Sequence, residues 1–426
     1  MALKLRRTVL TGIGLLTPLG LGTAATWEAV QAGKSGVRPI QAFDPQHLPV
    51  RIAGEVRGFD AKAFIDKENR KQIKVMARGI QLAVAAAQLA LDDGKVDKTK
   101  LDPTRFGVEF GSGLLATELK DLATAASLCC RPPNWHVDLE KWGSEGLEQI
   151  EPLWMLKYLP NFLASHISIL HNAQGPNNSI TESGVSSLLA LGEAHRILRR
   201  SQADFMLVGG AESKLNVLSF TRNCLFSPLS KRNEAPEKAS RPFDKGRDGL
   251  VIAEGAGVVV AEDLEHANQR GARIHGEIIG FGSAFDLGHD GQGVARAIRA
   301  ALGQANLPPE AVGHVNAEGL STPNADRAEA QGLREVFGNR PVPVFAAKSY
   351  FGNIGAGCGV AELALSLLAL EAGTLPPTLN YEEPDAACPV AVKREPEAVG
   401  NPCFLKVGFN EMGQCAAVLV RRWEGR

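Results

Sequence analysis

Residues 177–194 read NNSITESGVSSLLALGEA: a short β-prone run, a turn centred on Glu182-Ser183-Gly184-Val185, and an amphipathic helix beginning near Ser186. A strand that feeds sharply into a helix is where many enzymes hold a nucleophile, because the helix N-terminus favours negative charge there. Here the middle of the turn is glycine, which has no side chain to react. The stretch has the backbone plan of a catalytic elbow without the residue that would make it one.

Outward from the elbow, short β-rich runs alternate with helical patterns, which signals an α/β protein. The first half holds RRTVLTGIGLL (6–16), a helix around 72–94, RFGVEFGSG (105–113), the elbow, and ADFMLVGGAES (203–213). The second half repeats the order. It holds ARIHGEIIGFGSAFD (272–286), a helix GVARAIRAALGQANL (293–307), GHVNAEGLSTP (313–323), PVFAAKSYFGNIGAG (343–357) leading into helix CGVAELALSLLALEAG (358–373), and FLKVGFNEMGQCAAVLV (404–420). An internal duplication accounts for this most simply, with halves at 1–251 and 252–426. Both elbow helices carry small residues near their starts (Gly184, Ser186, Ser187; Gly355, Ala356, Gly357), which lets two backbones approach closely. If the halves face each other about a pseudo-twofold axis, these starts meet at one central site. The segment at about 119–160, containing CCRPPNWHVDLEKWGSEGLEQIEPLW, has Pro, Trp and charge without periodicity and reads as an inserted cap or interface arm.

The chain has 426 residues, 44% hydrophobic and 22% charged, the balance of an ordinary globular protein. Its net charge of -1 argues against nucleic acid as main partner. Seven scattered cysteines without a CxxC pair speak against a disulfide framework and a zinc site, so a reducing, cytoplasmic setting is expected, with no metal and no cofactor. Lys4, Arg6 and Arg7 before an apolar stretch imitate a secretory signal, but Thr, Gly and Pro interrupt the run, and RTVLTGIGLL reads as a first strand. No run of about 18 consecutive apolar residues occurs, so no membrane span is expected.

Residues 227–283, SPLSKRNEAPEKASRPFDKGRDGLVIAEGAGVVVAEDLEHANQRGARIHGEIIGFGS, closely resemble the β-ketoacyl-acyl-carrier-protein synthases of fatty-acid and type II polyketide synthesis. RRTVLTGIGLLTPLG, GPN before the elbow, VNAEGLSTPNADRAEAQ and AAKSYFGNIGAG match as well, so the resemblance spans nearly the whole chain. It implies the duplicated thiolase-like fold, five-layered αβαβα with mixed sheets, and a dimer. In that family the elbow presents a cysteine that takes the acyl group, and two histidines assist decarboxylation of malonyl-carrier protein. The thiolate is the nucleophile, and the imidazoles stabilise the developing enolate and oxyanion.

All three positions depart from the pattern. With GEAHRIL as anchor, the family cysteine falls at Gly184; a register one residue off gives Ser183, and Ser186 lies one turn along. The first histidine position holds Glu318, an expected anion that would repel an enolate, and the second holds Asn353, a donor unable to shuttle protons at neutral pH. Lys348 is retained, and buried pairing of Lys348 with Glu318 would satisfy both charges. Gly408-Phe409-Asn410-Glu411 stands where the family supplies an oxyanion-hole N–H, which Phe409 still offers along with a gating ring. The threonine-rich loop after the strand at 272–286 is missing. His289 and His166 sit at no convincing spacing from a Cys or Ser, and all seven cysteines read as packing residues. Lys67, Arg70, Lys71 and Lys74, opening the first long helix, have the position of the surface where the family docks its acidic carrier protein; the alternative is a plain solvated face.

The sequence therefore points to a condensation-inactive ketosynthase-like subunit, similar in kind to the chain length factor of type II polyketide systems, paired with an active ketosynthase and acyl carrier protein. Two rivals stand beside it: an acyltransferase using Ser183 or Ser186 with Glu318 as base, and a homodimeric binding protein for acyl chains or carrier protein.

Overall fold

The structure is a computed structural model that describes residues 5–115, 117–131, 133 and 135–425. Lys4 of the basic N-terminal run lies outside the described residues. Five strands build the first copy: β1 (Thr8–Thr17), β2 (Phe106–Ser112), β3 (Asn177–Ile180), β4 (Phe205–Glu212) and β5 (Gly255–Asp263). Five more build the second: β6 (Gly276–Phe285), β7 (His314–Asn316), β8 (Pro343–Phe345), β9 (Cys403–Phe409) and β10 (Gln414–Arg422). The spatial order is β3-β2-β4-β5-β1 in one copy and β8-β7-β9-β10-β6 in the other, the same permutation twice. Directions repeat too: the first three strands of each order run parallel and the last two pair antiparallel.

The two copies meet edge to edge where Thr8, Val9 and Leu10 of β1 pair with Ile278, Glu277 and Gly276 of β6, so hydrogen bonding runs through one twelve-stranded sheet: these ten strands, the short Ala391–Val392 beside β8, and the short Gly20–Leu21 beside β1. Across this seam, buried His275 is held by Asp93 from the first copy (Nε2 to Oδ2, 3.2 Å) and Glu371 from the second (Nδ1 to Oε1, 2.5 Å). Strand β5 completes the first copy at 255–263, past the expected division at 251/252.

Helices α1 (Arg78–Asp93) and α2 (Phe162–His171) cover the outer face of the first copy, and α4 (Gln292–Ala305) with α5 (Pro323–Phe337) cover the outer face of the second. Between the sheets lie the elbow helix α3 (Ser186–Arg199) and its counterpart α6 (Cys358–Ala372), giving five layers, αβαβα. This explains the composition of the central elements. Strands β4 and β5 are buried on both faces and read as unbroken small and apolar runs. Helix α6 is apolar almost all round because a sheet lies on either side of it; the stretch Gly355–Ala372 has the length and hydropathy of a membrane span, yet 83% of it is buried inside the protein.

Sheet and helices approach closely only because some positions lack a Cβ. One added at Gly210 would stand 2.3 Å from the carbonyl oxygen of Ala356, and one at Gly359 2.4 Å from Leu188 Cγ. The starts of the two central helices therefore touch, with the Val360 N–H donating to Ser187 Oγ at 3.3 Å.

One expectation changes. The basic run does not open α1; Lys67–Val75 forms its own 3-10 helix, separated from α1 by Met76 and Ala77, both extended. The arm at 119–160 carries a helix (Leu119–Cys129), a pair of two-residue strands and several short helical turns.

Candidate functional site

The elbow follows β3 as a 3-10 turn, Ser183–Val185, at the head of α3. Ser183 holds φ at 52°, a left-handed conformation uncommon for a residue with a side chain, and strain of this kind clusters at functional turns. Gly184 is buried, and an ideal Cβ built on it meets one atom within 4 Å, Oε1 of Glu318 at 3.5 Å. The space in front of Gly184 thus admits a small side chain and ends on a carboxylate. Ser186 is buried and fully engaged: its Oγ accepts from the Glu182 N–H (2.7 Å) and donates to the Ser183 carbonyl (2.8 Å), which pins the turn. Among the described residues the Ser183 hydroxyl makes no hydrogen bond to a base.

Glu318 leaves the end of β7 with its backbone fixed by Glu329 of α5, whose carboxyl accepts the N–H of Glu318 (2.7 Å) and of Gly319 (2.9 Å). Burial pushes the Glu329 pKa up to about 8. The Glu318 side chain is turned inward, 1% exposed, with Oε1 2.8 Å from Lys348 Nζ. Lys348 Nζ also donates to the Glu318 carbonyl (2.9 Å) and pairs with Glu362 Oε1 of α6 (2.7 Å). The other oxygen of Glu362 pairs with Lys406 of β9, whose ammonium further donates to the Ala317 carbonyl at 2.9 Å.

Two carboxylates and two ammonium groups are thus buried together, and their formal charges cancel. Such a set is tolerable only when every charge faces an opposite one. Burial opposes the charge on Lys348, but the carboxylates of Glu318 and Glu362 outweigh it and hold the lysine protonated. Burial raises the Glu318 pKa against the pull of Lys348, with the Glu362 charge adding to burial.

Asn353 stands just before the second elbow turn, Gly355–Gly357. Its Oδ1 accepts the Gly355 N–H (2.9 Å) and the Cys358 thiol (3.2 Å), so it serves the second elbow. Burial lifts the Cys358 pKa well above the thiol range, leaving that cysteine protonated and unreactive. Phe409 ends β9 opposite Cys415 of β10. The Asn410 N–H bonds the Gln414 carbonyl, and because bonded pairs alternate along an antiparallel ladder, the Phe409 N–H points out of it. Its ring packs partly buried against the outer core of the second copy.

Gly184, Glu318, Lys348, Asn353 and the Gly408-Phe409 backbone are therefore gathered at one place, where the helix starts meet. His289 is an exposed loop residue, and His166 is packed on Phe162 in the outer helix α2, ring centroids 5.5 Å apart; neither belongs to the site. Lys67, Arg70, Lys71 and Lys74 are all exposed, though the Arg70 guanidinium donates to the carbonyls of Ile65 and Lys62. The seven cysteines are free. Among the described residues no group of three metal-ligating side chains occurs.

Sequence reading missed Glu362, Lys406 and Glu329, and took Cys358 for packing alone. A signal existed for Glu362: it is the one acid in the otherwise apolar run CGVAELALSLLAL, and a charge on a helix buried all round needs a partner. Lys406 stands out in the same way inside FLKVGF.

A twice-repeated strand permutation, closing on two central helices whose starts share a buried site, defines the thiolase-like α/β class. Within it, residues 5–267 match the family described as Beta-ketoacyl synthase, N-terminal domain, and 275–382 the corresponding C-terminal domain; the chain belongs to the β-ketoacyl synthase family. It is 36% identical over 391 residues to 3-oxoacyl-[acyl-carrier-protein] synthase 2 of Coxiella burnetii, covering 90% of each chain. Among solved structures it is similar to the ishigamide ketosynthase/chain length factor (TM-score 0.86, 29% identity, 99% of this chain and 100% of that one). It is also similar to a type II PKS acyl-carrier protein in complex with its ketosynthase bound to the hexaketide (TM-score 0.83, 27% identity, 99% and 100%). The chain is a ketosynthase-like protein of fatty-acid or polyketide biosynthesis.

Proposed function

We propose that this chain is a condensation-inactive ketosynthase-like subunit that pairs with an active ketosynthase and shapes its acyl cavity, as a chain length factor does. The observation that carries the reading is the pairing of an empty elbow with a neutralised one: Gly184 offers no nucleophile, and the carboxylate facing it is tied to Lys348. An enolate formed in this pocket would meet the carboxyl of Glu318 where the family places an imidazole donor, and Asn353 has its oxygen committed to Gly355 and Cys358. The charge cage keeps the vacated site folded, which a lone buried Lys348 could not do. Similarity to a ketosynthase/chain length factor and to a ketosynthase–carrier-protein complex supports the same reading for the partners. Lys67, Lys71 and Lys74 present an exposed basic surface suited to an acidic carrier protein.

The test is co-expression with the complete Cys-His-His ketosynthase encoded nearest to it, followed by native mass spectrometry. A one-to-one heterodimer is expected; exclusive homodimers would refute the partner role. One observation favours a second reading: the left-handed Ser183 resembles a strained nucleophile position, so an acyltransferase would carry its acyl group there. Ser186 is less suited because its hydroxyl is already used in the turn.

A further inference from the structure

The outer end of the second copy carries a cleft in which the central site has no part. There the sheet ends in the two-residue strand Ala391–Val392 beside β8. Helix α5 stops at Phe337, the chain crosses back to β8 through residues 338–342, and residues 381–391 close the other side. Between them lies a cleft of about 540 Å³, a size usual for small-molecule sites. Its floor is apolar, with Phe337, Val342, Tyr381 and Cys388 lining it and all four buried. Burial raises the Cys388 pKa to about 12, so its thiol stays neutral and belongs to that floor.

The polar groups around the floor divide by charge. Asp385 is spent: its Oδ2 takes the Arg247 guanidinium (2.7 Å) and its Oδ1 accepts the Ala387 N–H (2.9 Å). Acids close by in sequence are paired as well, Glu335 with Arg299 (2.8 Å), Glu382 with Arg241 (3.3 Å) and Glu383 with Lys245. The donors are not all spent. Arg340 braces the wall through the carbonyls of Pro309 (2.8 Å) and Val312 (2.6 Å), but Arg334 makes no ion pair or hydrogen bond among the described residues. Arg334 is exposed in the last turn of α5, where the helix dipole favours a cation yet leaves its N–H donors unused. The Asn339 amide and the Tyr381 hydroxyl are likewise without a hydrogen bond among the described residues. Burial raises the Tyr381 pKa and keeps that hydroxyl a donor, while the Arg394 guanidinium stacks 5.3 Å from its ring centroid.

We propose that this cleft binds a monocarboxylate with an apolar tail, its carboxylate forked on Arg334 and its tail laid on Phe337, Val342 and Cys388. The occupant follows from the unspent groups. Donors beside an acid that is already neutralised select an anion over a cation. A single free guanidinium matches one planar carboxylate in bidentate fashion, whereas a phosphate dianion would keep a charge uncompensated. A neutral alkyl ligand would cover the floor and gain nothing from Arg334. The cleft is separate from the elbow, and its occupancy does not depend on the partner role proposed above.

The experiment titrates the full chain with octanoate by isothermal calorimetry and maps the site with a diazirine-bearing alkanoate, for the wild type, Arg334→Gln and Tyr381→Phe. Octanoate is expected to bind one site with a Kd below about 1 mM. Arg334→Gln should weaken it about ten-fold, the scale of one charge-assisted pair, and Tyr381→Phe by less. Crosslinks should fall within 333–342 or 381–391, and 1-octanol at equal concentration should not displace the label. Arg334 is exposed, so Arg334→Gln is expected to keep the wild-type denaturant midpoint, which separates a lost contact from a lost fold. No binding up to about 10 mM, crosslinks only elsewhere in the chain, or an Arg334→Gln affinity within about two-fold of wild type would overturn the inference. Displacement by 1-octanol as effective as by octanoate would overturn it too.

Discussion

A β-carbon placed on Gly184 would stand 3.5 Å from Oε1 of Glu318. The contact is ordinary van der Waals contact, so the elbow has room for a β-carbon, and what a side chain there would face is an acid.

Gly184→Cys is therefore expected to fold with stability within about 1 kcal/mol of the wild type, since its β-carbon meets no clash. It should give no condensation with acyl- and malonyl-carrier protein, because the nearby carboxylate disfavours the thiolate and no neutral donor is present. Gly184→Cys/Glu318→His/Asn353→His supplies the missing groups and is the variant in which radiolabelled condensation product should first appear. Turnover by the single variant would refute this account of the site.

The cage should behave as a unit. Lys348→Met strands the carboxylates of Glu318 and part of Glu362 without their shared cation and is expected to cost about 3–5 kcal/mol in urea unfolding. Glu318→Gln, which keeps the shape and removes one charge, should cost less. Equal, small losses for both would mean that the pairs are solvated in solution.

His275 makes stability depend on pH. Burial works against its charge, but the carboxylates of Asp93 and Glu371 prevail and raise its pKa from the ordinary 6.5 to about 8. A raised folded-state value means the contribution is full below pH 6.5 and lost as pH rises through 8, in total about 2 kcal/mol. Denaturant midpoints measured from pH 6 to 9 should fall across that window in the wild type and stay flatter in His275→Gln.

Lys67→Glu/Lys71→Glu should weaken association with the acyl carrier protein by about ten-fold at low ionic strength, and the difference should shrink as salt is added. Arg70 is left in place because its guanidinium braces the loop at Lys62 and Ile65. Unchanged binding in fluorescence anisotropy would reduce the basic run to a solvated face.

Much of the fold was legible because strands and helices imprint their periods on the sequence. Both copies of the strand–elbow–helix unit were visible from NNSITESGVSS and from AAKSYFGNIGAGCG, down to the small residues that let their helix starts touch. The division between copies was harder to read, because β5 follows a long loop and its run GAGVVVAED is buried on both faces and carries no alternation. The basic run misled because Lys, Glu, Asn and Arg have ordinary helix propensities; it is the extended Met76 and Ala77 that break the run from α1. In the site, positions at a motif could be named, but partners distant in sequence could not. Glu362 and Lys406 are 44 residues apart and meet only because α6 is laid between the sheets.

In the proposed heterodimer this chain carries no acyl group while its partner does. The heterodimer with the nearest-encoded ketosynthase, incubated with acyl-carrier protein and separated for intact-mass analysis, should show the acyl mass on the ketosynthase chain and an unmodified mass for this one. An acyl adduct on this chain, mapping by peptide fragmentation to Ser183 or Ser186, would contradict the claim and return the elbow to catalysis.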